Sequence, residues 1–227
     1  MIEERYRIPK TVAIERTIFT ENFVTGKDIL HIGIGGAIHD LKLKSKFLSS
    51  DISNWFHSRI SLRAKSIVTL ELEQDNIDKF ESQVPGEYIC GDITDNNITK
   101  SINRKFDLII FTEIIEHLDC YHSALGNIQN LLNPGGQLLI STINAFNIFM
   151  FMKLARRYES NHIEHTAYFS YITLNRLLSM NDFSIKEFYF SFDQPKNLIK
   201  KLIKLPLMKI FPQFSQGIIL VAEIDDN

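Results

Sequence analysis

Apolar, β-type runs alternate with helix-patterned segments along this 227-residue chain, and that alternation limits its fold more than any other feature. The runs are "DILHIGI" (28–34), "SIVTLEL" (66–72), "EYICGD" (87–92), "FDLIIFT" (106–112) and "GQLLIST" (136–142). Several are nearly continuous in apolar residues rather than alternating, as suits strands covered on both faces of a parallel sheet. Between them, "DISNWFHSRISLRAK" (51–65) puts Ile52, Trp55, Phe56 and Ile60 at helical spacing behind Asp51 as a cap. "SALGNIQNLL" (123–132) repeats the pattern and stops at "NPGG". Strand–helix alternation of this kind implies right-handed crossovers and an open α/β sheet. "SIKEFYFSF" (184–192) and "GIILVAEI" (217–224) add two strands, for an expected seven.

Composition narrows the setting. A formal charge of −2 argues against a surface tuned to polyanions, so nucleic acid is not the default partner. Cys90 and Cys120 show no metal-like spacing and suggest a reducing compartment. The amino-terminal stretch lacks a secretory pattern, and "INAFNIFMFM" (143–152) is too short and too amide-interrupted to span a bilayer. The expectation is a soluble cytoplasmic protein.

In an open α/β sheet the ligand lies beyond the carboxyl ends of the strands, where strand order reverses. Gly33, Gly35 and Gly36 follow the first long strand and suit close approach of a nucleotide. Glu71 closes the second, and an acceptor-only carboxylate is the simplest group to read a ribose cis-diol. Asp92 follows the third, where a carboxylate can accept from an adenine exocyclic amine. A dinucleotide fold wants its acid about 20 residues after the glycines. Asp51 has that spacing, but no apolar strand precedes it.

The glycine turn, Glu71, Asp92, "FDLIIFTEIIEHL" and "LLNPGGQLLIST", in that order, resemble the class I S-adenosylmethionine-dependent methyltransferases over roughly residues 26–225. The resemblance implies a Rossmann-like α/β fold: a seven-stranded, mostly parallel sheet with helices on both faces. It implies a single domain over 1–227, with pocket-covering insertions at about 143–171 and 194–214. S-adenosyl-L-methionine is the implied cofactor. Gly33, Ile34 and Gly35 line its methionine part, Glu71 binds the ribose with Leu72 beside the adenine, and Asp92 and Ile93 hold that ring. Thr112 and Glu113 approach the reactive end. His31 stands where the family has an acid, and either hydrogen-bonds within the cofactor site or packs. Ala37 replaces the last glycine, and a loop at about 36–50 delays the next helix.

The chemistry is expected at "EIIEHL" (113–118), where Glu113, Glu116 and His117 at i, i+3 and i+4 share a helical face. "NHIEHTAYFS" (161–170) adds His162 and His165. His117 and His165 are the candidate catalytic residues, positioning an acceptor or taking its proton. Glu113, Glu116, His117 and His165 are the alternative divalent-metal set, similar to the glutamate–histidine centre of small-RNA 2′-O-methyltransferases and the related helix of ubiquinone-pathway O-methyltransferases. "WFHSRISLRAKSIVTLELEQDNI" with "NHIEHTAYFSYITLNRLLSMNDF" also resembles a bacterial branch that accompanies cell-surface polysaccharide assembly, which implies a glycan or lipid-linked acceptor.

Residues 143–171 either cover the acceptor pocket or form an ordinary amphipathic helix on the sheet. "QPKNLIKKLIKLPLMKIFPQF" (194–214) mixes apolar and lysine positions, as for a peripheral membrane contact, a dimer contact or a lid. The leading expectation is O-methylation of a small-molecule or saccharide hydroxyl by a monomer or homodimer. The alternatives are an RNA 2′-O-methyltransferase and a non-catalytic cofactor-binding scaffold subunit.

Overall fold

A computed structural model describes residues 7–35, 51–52, 55–159, 162–194 and 198–225. Gly36, Ala37, the expected 36–50 loop and Lys196 lie outside the described residues, as do the side chains of Leu198, Ile199, Lys200, Lys201, Ile203 and Lys204.

The strands are β1 (Ala13–Glu15), β2 (Asp28–Ile32), β3 (Ser66–Glu71), β4 (Glu87–Cys90), β5 (Phe106–Thr112), β6 (Leu132–Ile143), β7 (Phe183–Phe192) and β8 (Gly217–Ile224). They form one sheet in the order β1-β7-β8-β6-β5-β2-β3-β4. Only β8 runs against its neighbours, pairing antiparallel with both β6 and β7. The strand order reverses between β2 and β5, which pair in parallel, and that places the crevice at their carboxyl ends. All seven expected strands are present. The eighth, β1, pairs with β7 through Ala13, Ile14 and Glu15 and is too short to carry a sequence pattern.

The described helices are α1 (Arg16–Phe23), α2 (Phe56–Ser61), α3 (Gln74–Glu81), α4 (Ile98–Ile102), α5 (Tyr121–Leu131), α6 (Ile148–Leu154), α7 (Tyr171–Ser179) and α8 (Leu198–Ile210). The helix expected over 51–65 is thus only six residues, and Trp55 rather than Asp51 precedes it, with no side-chain cap. Ile52 is fully buried with Ile34, Phe80 and Val84, so packing rather than capping fixes this entry. The NPGG turn lies within β6, and pairing with β5 slips from Phe106–Leu132 to Leu108–Gln137 to pass it. Among the described residues no helix is long and apolar enough to cross a membrane.

Strand alternation sorts the core into two layers. Leu30, Ile32, Leu70, Ile109 and Phe111 face Ala124, Leu125 and Ile128 of α5 and Leu174 and Leu178 of α7. Ile29, Ile67, Leu108 and Ile110 face the other way, onto Phe19 and Phe23 of α1, Val24, and Ile60 of α2. Fully burying one such aliphatic side chain contributes about 1.5–3 kcal/mol, so each layer can anchor its helices without help from polar groups.

His31 shares a strand parity with Ile29 and therefore points away from the crevice. Its ring stacks on His57 of α2, with centroids 5.2 Å apart, and the two Nδ1 atoms are 2.9 Å apart. The Tyr88 hydroxyl donates to the Val84 carbonyl at 2.9 Å, so it accepts from His57 Nε2–H at 3.1 Å. His57 Nδ1 then carries the lone pair, and His31 Nδ1–H donates to it. This chain leaves His31 Nε2 as a buried acceptor with no partner. Burial pushes His57 down to about 4, and burial plus the neighbouring His57 holds His31 well below the usual imidazole range. Both rings are neutral at pH 7. Below about pH 6.5 an unfolded chain binds protons that this pair refuses, so the pair lowers stability as pH falls. The expected cofactor contact at His31 is corrected to a packing role.

Candidate functional site

A cleft of about 630 Å³ opens at the carboxyl ends of β2, β3, β4 and β5. Gly33, Gly35, Glu71, Leu72, Asp92 and Ile93 line it on the β2–β4 side of the strand reversal, and Glu113 and His117, after β5, line it with His165. Gly33 adopts φ +73°, and an added Cβ would overlap Ile114 Cδ1, another lining residue. This backbone therefore presents itself where a side chain would fill the space.

The Glu71 carboxylate organises the turn. Its Oε2 accepts from Ile34 N–H at 2.8 Å, and its Oε1 accepts from Glu73 N–H at 3.1 Å and Asn76 Nδ2 at 3.2 Å. Asn76 also donates to the Gly35 carbonyl at 2.7 Å, tying α3 to the glycine turn. Burial raises the Glu71 carboxyl above its usual range against these donors. Asp92 accepts from Thr94 N–H at 2.8 Å, an Asx turn that fixes the carboxylate at the rim. Ile34 differs from its expected place. Its side chain packs with Ile52 and Phe80, and only its N–H reaches the site, through Glu71. Thr112 is buried at the end of β5 and does not line the cleft.

The segment after β5 departs most from the sequence reading. Glu113 sits at φ +55°, and only Ile115–His117 form a single 3-10 turn. A left-handed residue at the head of a short turn rotates Glu113, Glu116 and His117 off one face. Glu113 reaches Arg16 of α1 at 2.8 Å and Ser141 Oγ at 3.1 Å, while Arg16 also pairs with Asp193 at 3.1 Å. Glu113 also lines a second cavity of about 240 Å³ with Arg16, Lys153 and Asp193. Glu116 is fully buried, accepting from Thr142 Oγ1 at 2.8 Å. The four-residue metal set of the sequence reading is therefore not assembled: its two carboxylates face other partners.

Burial, reinforced by the charge of Glu113, pushes the Glu116 carboxyl up to about 7. The unfolded value is near 4.5, so folding takes up a proton at Glu116 between about 4.5 and 7; the contribution is fully present below that window and is lost as pH rises through 7. Between pH 7 and pH 5 the gain is about 2 kcal/mol, opposing the loss from His31 and His57. Glu116→Gln removes only the first effect. Urea unfolding of this variant at the two pH values should show an acid loss steeper by about 2 kcal/mol than that of wild type. Parallel pH profiles would contradict the buried, protonated carboxyl.

Three histidines converge at the far end of the cleft. The Glu116 carbonyl accepts from Thr166 N–H at 2.8 Å and Ala167 N–H at 3.3 Å, and Thr166 Oγ1 donates to the Leu118 carbonyl at 2.7 Å. These bonds clasp the segment after α6 onto the 3-10 turn. His162 and His165 thereby meet His117, with the His117–His165 centroids 4.6 Å apart and the His162–His165 centroids 5.4 Å apart. Burial leads the downward shift of His165, to about 4, and of His117, so these two rings are neutral at pH 7. His162 joins the cluster in place of the two glutamates. Arg16 and Asn76 had no sequence signal, since each acts through contacts with residues distant in sequence.

Known proteins divide into three kinds of match. A family described as "Methyltransferase domain" matches residues 16–187. The ubiquinone biosynthesis O-methyltransferase of Chromobacterium violaceum is 27% identical over 121 residues, 53% of this chain and 46% of that protein. The chain thus spans about half the length of the curated relatives it matches. Among solved structures, N-methyltransferase NodS from Bradyrhizobium japonicum WM9 in complex with S-adenosyl-L-homocysteine has a TM-score of 0.56 at 13% identity, covering 93% of this chain and 85% of that one. An S-adenosylmethionine-dependent methyltransferase from Clostridium acetobutylicum ATCC 824 has a TM-score of 0.55 at 14% identity, covering 92% and 89%. At these identities the solved structures share the fold.

Proposed function

The chain belongs to the methyltransferase-domain family, and from that premise we propose that it methylates a hydroxyl of a small molecule or saccharide. It is an S-adenosylmethionine-dependent methyltransferase. When bound, the cofactor supplies a sulfonium methyl group, a carbon already joined to a good leaving group. The protein's task is then alignment and proton removal.

One observation carries the reading: a single cleft holds Glu71 and Asp92 near the glycine turn and neutral histidines at its far end. Glu71 is the acceptor for the ribose hydroxyls, and Asp92 with Ile93 and Leu72 frames the adenine. Gly33 and Gly35 leave room for the amino-acid part. Glu113, at the meeting of both cavities, holds Arg16 beside the reactive end. His165 or His117 orients the acceptor hydroxyl and takes its proton. A weakly basic imidazole suffices, because the hydroxyl turns strongly acidic as its oxygen bonds to carbon. The curated relatives, named as O-methyltransferases, favour oxygen over nitrogen as the acceptor atom.

The test is a homocysteine-release assay on purified protein with phenolic, saccharide and RNA acceptors, alongside calorimetry with S-adenosylmethionine and NAD. Turnover with the phenolic or saccharide set, and binding of the sulfonium ligand alone, is the expected result. Turnover only on RNA would move the acceptor to a 2′-hydroxyl. Binding of NAD alone would overturn the reading.

A further inference from the structure

Three imidazoles at one end of a cleft form a donor set of a kind that no acid–base role requires. The ligand nitrogens of His117, His162 and His165 all lie within 4.8 Å of one another. They come from two separate segments, the 3-10 turn after β5 and the clasped stretch after α6. We propose that these three histidines hold a divalent transition-metal ion of the zinc or cobalt type, with a coordination position open to the cleft.

The ligand chemistry selects the metal. Imidazole nitrogen suits zinc, cobalt and nickel, whereas magnesium takes oxygen ligands and keeps its waters. Three protein ligands plus one open position is the arrangement of catalytic rather than structural zinc. Nitrogens about 2.1 Å from a tetrahedral ion lie roughly 3.4 Å apart, so modest ring rotations close the observed set. His117 hydrogen-bonds to the Glu164 backbone, a contact of the kind that orients a ligating histidine. The Glu164 carboxylate, 3.8 Å from His162 Nδ1, places a compensating negative charge beside the ion.

The role of such an ion rests on the methyl-transfer reading. An acceptor hydroxyl at the open position becomes acidic and releases its proton to bulk water. Its oxygen then bonds to the methyl carbon as the carbon–sulfur bond breaks, and the electron pair stays on sulfur as the neutral thioether. The histidines hold metal in that state, in place of the acceptor's proton.

Metal binding is testable apart from turnover. Chelator-treated full-length protein is titrated with Co²⁺ while its visible ligand-field band is followed, and Zn²⁺ is then used to displace it. One ion per chain is expected, with an apparent Kd of about 10 μM or tighter, and no comparable response to Mg²⁺. His162→Ala and His165→Asn should each weaken Co²⁺ binding by about tenfold or more, with thermal unfolding by circular dichroism reporting whether each variant is folded. Absence of saturable binding, or equal binding by both folded variants, overturns the proposal. Calorimetry with S-adenosylhomocysteine on the metal-free protein separates the two readings. Homocysteine-ligand binding without metal binding removes the metal site alone, and the converse removes the methyl-donor assignment alone.

Discussion

Gly33→Ala is expected to weaken S-adenosylhomocysteine binding by about thirtyfold or more and to cost about 2 kcal/mol of stability. Two effects add. At φ +73° an alanine sits in the left-handed region, at a cost of roughly 1–2 kcal/mol. Its Cβ would also overlap Ile114 Cδ1, and relief requires Ile114 to swing within the cleft that both residues line. A loss of about 2 kcal/mol in binding is close to thirtyfold. Gly26→Ala is the matched control. Gly26 has φ +74°, but a Cβ there meets nothing within 4 Å and the residue does not line the cleft. That variant should lose about 1 kcal/mol in urea unfolding and keep its ligand affinity. Equal ligand affinities for Gly33→Ala and wild type would mean that the glycine serves only the turn.

The sheet was legible in the sequence because its strands are covered on both faces. Burial on both sides forces apolar residues into consecutive positions, and those runs stand out without an alignment. β1 carries no such run. Its three residues are half-buried at the sheet edge, and Glu15 caps α1 by accepting from Thr17 and Ile18 N–H. Glu71 and Asp92 were readable because each ends or follows a run. The part that misled was the step from β5 into its turn. Spacing of i, i+3 and i+4 puts residues on one face only if the backbone is α-helical throughout, and φ +55° at Glu113 breaks that condition. Partners far apart in sequence left no local trace: Arg16 with Glu113, and Asn76 with the glycine turn. His31 is instructive in the opposite sense. Strand alternation assigns it to the Ile29 face, so of the two expectations drawn from its place before the glycine turn, a cofactor contact or packing, its parity fits packing.

Glu71→Gln is expected to weaken the ligand by about a hundredfold while the protein stays folded. The carboxylate is held in place by Ile34, Glu73 and Asn76, and its acceptor-only character lets it take ribose hydroxyl protons as well. Glutamine keeps the shape but loses the charge and turns one end into a donor. That end meets the N–H groups of Ile34 or Glu73, and hydrogen bonds to a charged partner contribute about 1.5–3 kcal/mol each. Two of them at the lower end of that range, about 3 kcal/mol, account for roughly a hundredfold in affinity. The deciding measurement is calorimetric titration of S-adenosylhomocysteine into wild type and Glu71→Gln at one pH and salt concentration, with thermal unfolding of both confirming the fold. One site per chain in wild type, and about hundredfold weaker binding in the variant, is the expected result. The same affinity in both proteins would contradict a ribose held by this carboxylate.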